Sequence, residues 1–183
     1  MKPLLIALLL TLAPVLSARA QDSRIQMSGL DHLAAKASQT VDVNLDERLM
    51  RLASRVFDEK DADEREVKKL IAGLKGIYVK SFEFDADGQY SDADIETIRT
   101  QLKAPGWSRL VNVTSKKEGM LEVYVLFSGD VVNGMAVLHT DDRELTVVNI
   151  AGPIDIDKLA KLEGQLGVPD LGIEKKKTKN DEQ

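Results

Sequence analysis

The densest run of potential ligands lies between Glu83 and Asp94. With Glu83 as position 1 of a calcium loop, Asp85 falls at 3, Asp87 at 5, Gly88 at 6, Ser91 at 9 and Asp94 at 12. Calcium needs several oxygen donors around a sharp glycine turn, and this spacing supplies them. The end residues are reversed, since such loops usually start with Asp and finish with Glu. An Asp87-Gly88 turn followed by a Ser91 helix cap accounts for the same residues without an ion. A second set is His139-Thr140-Asp141-Asp142. An imidazole beside carboxylates suits acid–base work in a hydrolase, with His139 as base and Asp141 as its partner. No nucleophile accompanies them in sequence, and a triad needs that third group. His32 is isolated and reads as structural.

Binding without chemistry is the other reading. Tyr78, Trp107, Arg109 and Tyr124 are large aromatic or guanidinium side chains of the kind that anchor interfaces. Trp107 follows the Pro105-Gly106 stop, so it opens a strand, and the expected contact region is a solvent-facing sheet surface or the Trp107–Arg109 edge. The sequence contains no phosphate-cradling glycine loop, no HExxH and no GxSxG.

The elements that must hold these residues can be read from periodicity. Asn44 with Glu47 forms a capping-box pattern ahead of Leu45, Leu49, Leu52, Ala53 and Val56, which predicts a helix. A second helix carries Val67, Leu70, Ile71 and Leu74. Ile77 to Phe84 is rich in aromatic and β-branched residues and reads as a strand. Ser91 with Asp94 starts a third helix through Ile95, Ile98 and Leu102. Trp107–Thr114, Leu121–Ser128, Val131–Leu138 and Leu145–Ile150 then read as strands of a meander, ended by Gly152-Pro153. Asp155 caps a last helix with Ile156, Leu159, Leu162 and Leu166. The strand Ile77–Phe84, the third helix and the strand from Trp107 form a possible parallel βαβ unit. The expected fold is α+β, a single mostly antiparallel sheet of about five strands with helices packed on one face.

The chain has 183 residues, a formal charge of -5, 43% hydrophobic residues and no cysteine. That apolar share supports one packed core. An acidic balance argues against a nucleic-acid partner. Without cysteine, disulfides, thiol chemistry and a lipidated N-terminal cysteine are excluded. Met1-Lys2, the apolar run from Leu4 to Leu16 and Ala18-Arg19-Ala20 together read as an export signal cleaved after Ala20. The run is too short to span a bilayer comfortably, and no later transmembrane segment is expected. The expected organisation is a signal peptide over 1–20, a weakly structured segment or short helix over 21–43, an α+β domain over 44–167 and a charged, disordered tail over 168–183.

Several stretches carry a resemblance. They are Val79-Lys80-Ser81-Phe82-Glu83-Phe84, Ile98-Arg99-Thr100-Gln101-Leu102, Pro105-Gly106-Trp107-Ser108-Arg109-Leu110-Val111 and Gly152-Pro153-Ile154-Asp155-Ile156-Asp157-Lys158-Leu159. With these the chain resembles the bacterial domain-of-unknown-function family numbered 4252 over roughly residues 30 to 167. The resemblance implies an exported or envelope protein and supplies no catalytic residues. Many members carry a lipoprotein signal, from which this chain departs by lacking cysteine. The expectation is therefore a non-catalytic periplasmic binding or protein-interaction domain, whose partner is an envelope protein. The alternative is a calcium- or metal-binding envelope domain using the Asp85–Asp94 loop, and a hydrolase comes third.

Overall fold

A computed structural model describes residues 22–55 and 62–155. The expected leader, the 58–61 turn, the last helix and the charged tail lie outside them. A short 3-10 helix, Ser28–Ala35, precedes strand β1 (Gln39–Asp46) and helices α1 (Glu47–Ala53) and α2 (Ala62–Gly73). Strand β2 (Gly76–Glu83), helix α3 (Asp92–Leu102) and strands β3 (Trp107–Ser115), β4 (Gly119–Ser128), β5 (Val131–Thr140) and β6 (Glu144–Ile154) follow. The strands form one six-stranded sheet in the order β1-β2-β6-β5-β4-β3, every neighbouring pair antiparallel.

β1 is the strand that the sequence pattern hid. Val41, Val43 and Leu45 alternate with Thr40, Asp42 and Asn44, which is the period of a half-buried strand. That period prevails over the helical spacing that starts at Leu45. The Asn44 capping box is replaced by Asp46, whose Oδ1 accepts from the Leu49 backbone N–H at 2.9 Å. The sheet thus begins ahead of residue 44. The preceding segment is also part of the core, for Ile25, Met27, Leu30 and Leu33 are all buried. Buried Ser23, Ile25 and Met27 alternate there with exposed Asp22, Arg24 and Gln26, so an extended stretch lies flat on the sheet.

The expected βαβ unit is corrected in its pairing. β2 and β3 share a direction, but β6, β5 and β4 stand between them. Helix α3 carries the chain across one face to the far edge, because both neighbour positions of β2 are filled by β1 and β6. Gly152-Pro153 does not end the last strand either. Gly152 adopts a φ of 114°, and pairing with β5 resumes at Val132–Ile154. Pro153 lies beyond the last β2 partner, Ala151, so its missing N–H breaks no bond with β2.

Helices cover both faces rather than one. On the first face the N-terminal segment and α3 bury Leu30, Leu33, Ile95, Ile98 and Leu102 against Phe82, Leu138, Leu145 and Val147. On the second, Met50 of α1, Ile71 of α2 and Leu74 join Val123, Val125, Met135 and Ile154. Each fully buried aliphatic or aromatic side chain contributes about 1.5–3 kcal/mol. Two layers on opposite faces explain why the central strands β4, β5 and β6 leave few positions exposed.

Candidate functional site

Three places in this fold gather side chains that can bind. The first is a buried polar cluster between α3 and the β3–β4 pair. Glu122 is 2% exposed. Its Oε2 accepts from Arg99 Nε at 2.7 Å. Its Oε1 accepts from Arg109 Nη1 and from the Tyr124 hydroxyl, both at 3.1 Å. Burial works to raise the Glu122 pKa, but Arg99, Tyr124 and Arg109 together outweigh it and hold the carboxyl below the ordinary glutamate value. Burial, then the Glu122 charge, pushes the Tyr124 phenol up, so it donates to the carboxylate. Both carboxylate oxygens are engaged, so the cluster ties α3 to the β3–β4 pair.

The second place is the end of the sheet where β5 turns into β6. Asp141 Oδ1 accepts from the backbone N–H of Arg143 at 2.7 Å and of Glu144 at 2.6 Å. The Tyr90 hydroxyl donates to the Asp141 and Glu144 carbonyls and clamps the turn. Burial and then the nearby Asp141, Asp142 and Glu144 charges push Tyr90 up to about 12, so it stays a phenol. An open cavity of about 400 Å³ lies alongside, lined by Tyr90, Arg99, Thr140 and Asp141 among others. Gly119 closes the neighbouring β3–β4 turn with a φ of 75°, and a Cβ there would overlap the Thr140 carbonyl.

The third place is the outer edge of β3. Among the described residues this strand pairs only with β4, at the end of the sheet order. A bulge between Arg109 and Val111 throws Leu110 outward, leaving it 60% exposed. Val113 is 50% exposed on the same strand, and Phe127 and Val131 are exposed at the β4–β5 turn.

The four residues read from sequence as anchors fall into two groups. Tyr78 is buried beneath the N-terminal segment, with the Arg24 guanidinium 4.3 Å over its ring. It stands on β2, far along the sheet order from the others. Arg109 and Tyr124 face each other in register and meet at Glu122, while Trp107 is opposite Leu126 and packs half-buried on the first core cluster. Of the four, Arg109 presents the most side chain to solvent. The aromatics serve the core because both faces are covered.

The residues of the Glu83–Asp94 loop turn to separate neighbours. Asp94 and Ser91 form a capping box at the start of α3. Asp94 also lies 3.1 Å from His32 Nε2. Asp87 accepts from Arg143 Nε at 2.6 Å. Glu83 and Asp85 are exposed. Among the described residues, the three ligand groups that do converge are His139, Asp141 and Glu144. The first two were visible in sequence. Glu144 was not, because only the folding back of the turn brings it beside them. Glu122 was legible only as one polar residue in an apolar strand.

A single antiparallel sheet with helices on both faces, a neutralised interior carboxylate and an open apolar edge defines a small α+β domain. The chain belongs to the family described as Domain of unknown function (DUF4252), whose model matches residues 35–162. No curated protein and no solved structure matches it.

Proposed function

We propose that the protein is an exported, non-catalytic interaction domain that binds another envelope protein along the outer edge of β3. The observation that carries this reading is the combination of a strand edge unpaired among the described residues with Leu110 and Val113 both at least half exposed. An outer strand offers backbone N–H and C=O groups to an extended segment, and side chains beside it set the specificity. Proteins usually blunt such edges with charge, proline or a bulge. Here the bulge interrupts the ladder yet leaves a leucine exposed beside it, and Phe127 and Val131 are exposed separately at the β4–β5 turn. Arg109, half exposed and tied to Glu122, supplies a fixed charge at the rim. Export is supported by the leader pattern ahead of Gln21.

The test compares affinity capture from envelope extracts by the wild type and by a Leu110→Lys/Val113→Lys variant. The edge reading expects recovery of a specific partner to fall at least about tenfold, equivalent to ~1.4 kcal/mol. A Val41→Lys variant on the opposite edge strand should recover it normally. Equal recovery by all three proteins would remove the β3 edge from the account.

A further inference from the structure

We propose that His139, Asp141 and Glu144 form a three-ligand site for a divalent transition-metal ion, zinc being the best fit. This site is separate from the β3 edge and does not depend on the interaction reading. One ligand atom from each residue lies within 4.8 Å of the other two, and all three residues are half-buried. His139 Nε2 and Asp141 Oδ2 stand 4.0 Å apart, too far for a hydrogen bond. Zinc–ligand bonds of about 2.0–2.2 Å place tetrahedral ligands about 3.4 Å apart, so the group must close by roughly 1 Å. Rotation of the His139 side chain toward the two carboxylates supplies that closure.

The surroundings hold the donors in place. Asp141 Oδ1 is occupied by two backbone N–H groups, which leaves Oδ2 on the side of His139. Thr146 donates its hydroxyl proton to Glu144 Oε1 at 2.6 Å, leaving Oε2 for a metal. With that proton committed, the Ser81 hydroxyl donates to Thr146 Oγ1 at 2.6 Å. A Ser81–Thr146–Glu144 chain is the kind of outer support that orients ligands and raises metal affinity. The Tyr90 hydroxyl fixes the turn from below through the Asp141 and Glu144 carbonyls. An imidazole nitrogen with two carboxylates suits zinc and its neighbours. Calcium wants six to eight oxygens and is poorly served here. Three protein donors leave a fourth tetrahedral position for water or a donor from outside.

Calorimetric titration of the protein with zinc chloride, and separately with calcium chloride, tests the assignment. Zinc should bind one-to-one, and calcium at least about tenfold more weakly. His139→Gln and Glu144→Gln should each weaken zinc by at least about tenfold, since even outer-shell partners are worth 10- to 100-fold. The amide oxygen left by Glu144→Gln still accepts from Thr146, so that variant keeps its fold, and metal-free melting checks both. No one-to-one zinc binding by the wild type would overturn the proposal. So would zinc bound equally well by His139→Gln, or calcium bound as tightly as zinc.

Discussion

Arg99→Leu is expected to destabilise the domain by about 3 kcal/mol, the lower end for breaking a buried ion pair. Glu122, 2% exposed with Arg99 in place, would lose its closest cation. Arg109 and Tyr124 still touch its other oxygen, which keeps the cost from rising further. For a domain of this size that corresponds to a fall in Tm of roughly 6–12 °C. The double variant Arg99→Leu/Glu122→Leu should recover much of the loss, because replacing a buried pair by apolar groups is far cheaper than orphaning one member. The pH dependence has a defined sign. Glu122 is held below its ordinary value, so its contribution is complete above the ordinary glutamate range and is lost as pH falls through the lower folded value. The gap between wild type and the double variant should therefore shrink on acidification. Thermal melts of the three proteins between neutral and acid pH check this. A single variant as stable as the wild type would mean that Glu122 is solvated.

Asn149→Leu should be at least as damaging, at about 3 kcal/mol or more, since each buried polar group left unpaired costs about 1–3 kcal/mol. Asn149 is fully buried in β6. Its Oδ1 accepts from the Ile25 N–H at 2.9 Å, and its Nδ2 donates to the Ser23 carbonyl at 3.0 Å and the Met135 carbonyl at 3.1 Å. Together with Gln101, which bonds the Gln26 N–H and carbonyl at 2.8 Å each, it rivets the N-terminal segment across the first face. Losing it orphans two backbone groups of that segment and loosens Ile25, Met27, Leu30 and Leu33 from the core. Amide exchange at Ile25 should accelerate well beyond that of the β5 amides. Unchanged protection at Ile25 would show that apolar packing and the Gln101–Gln26 bonds seat the segment without Asn149.

These two clusters show why the sequence yielded the elements better than their partners. The Ser91–Asp94 cap, the third helix and the strands from Trp107 onward follow local rules, and local rules are written in neighbouring residues. β1 was also written in the alternation of Val41, Val43 and Leu45, but the competing Asn44–Glu47 pattern overlapped it. Which face an aromatic takes is not local. Tyr78 and Tyr124 looked like surface anchors until a segment more than fifty residues upstream of Tyr78 was found lying over that face. Strand order is likewise decided at a distance, by β1 claiming one side of β2 and β6 the other. The His139–Asp141 pair could be seen, whereas Glu144 joined it only through the turn that Tyr90 clamps. Leu110 is exposed because of a bulge, and nothing in its neighbours' types announces that irregularity.

The interaction reading is tested most directly by placing a photo-crosslinking residue at Leu110 or Val113 and irradiating intact cells. The account predicts one discrete adduct to a different envelope protein from both positions, and none from Val41 on the opposite edge. Adducts from Val41 alone, or no adduct from either β3 position, would contradict it.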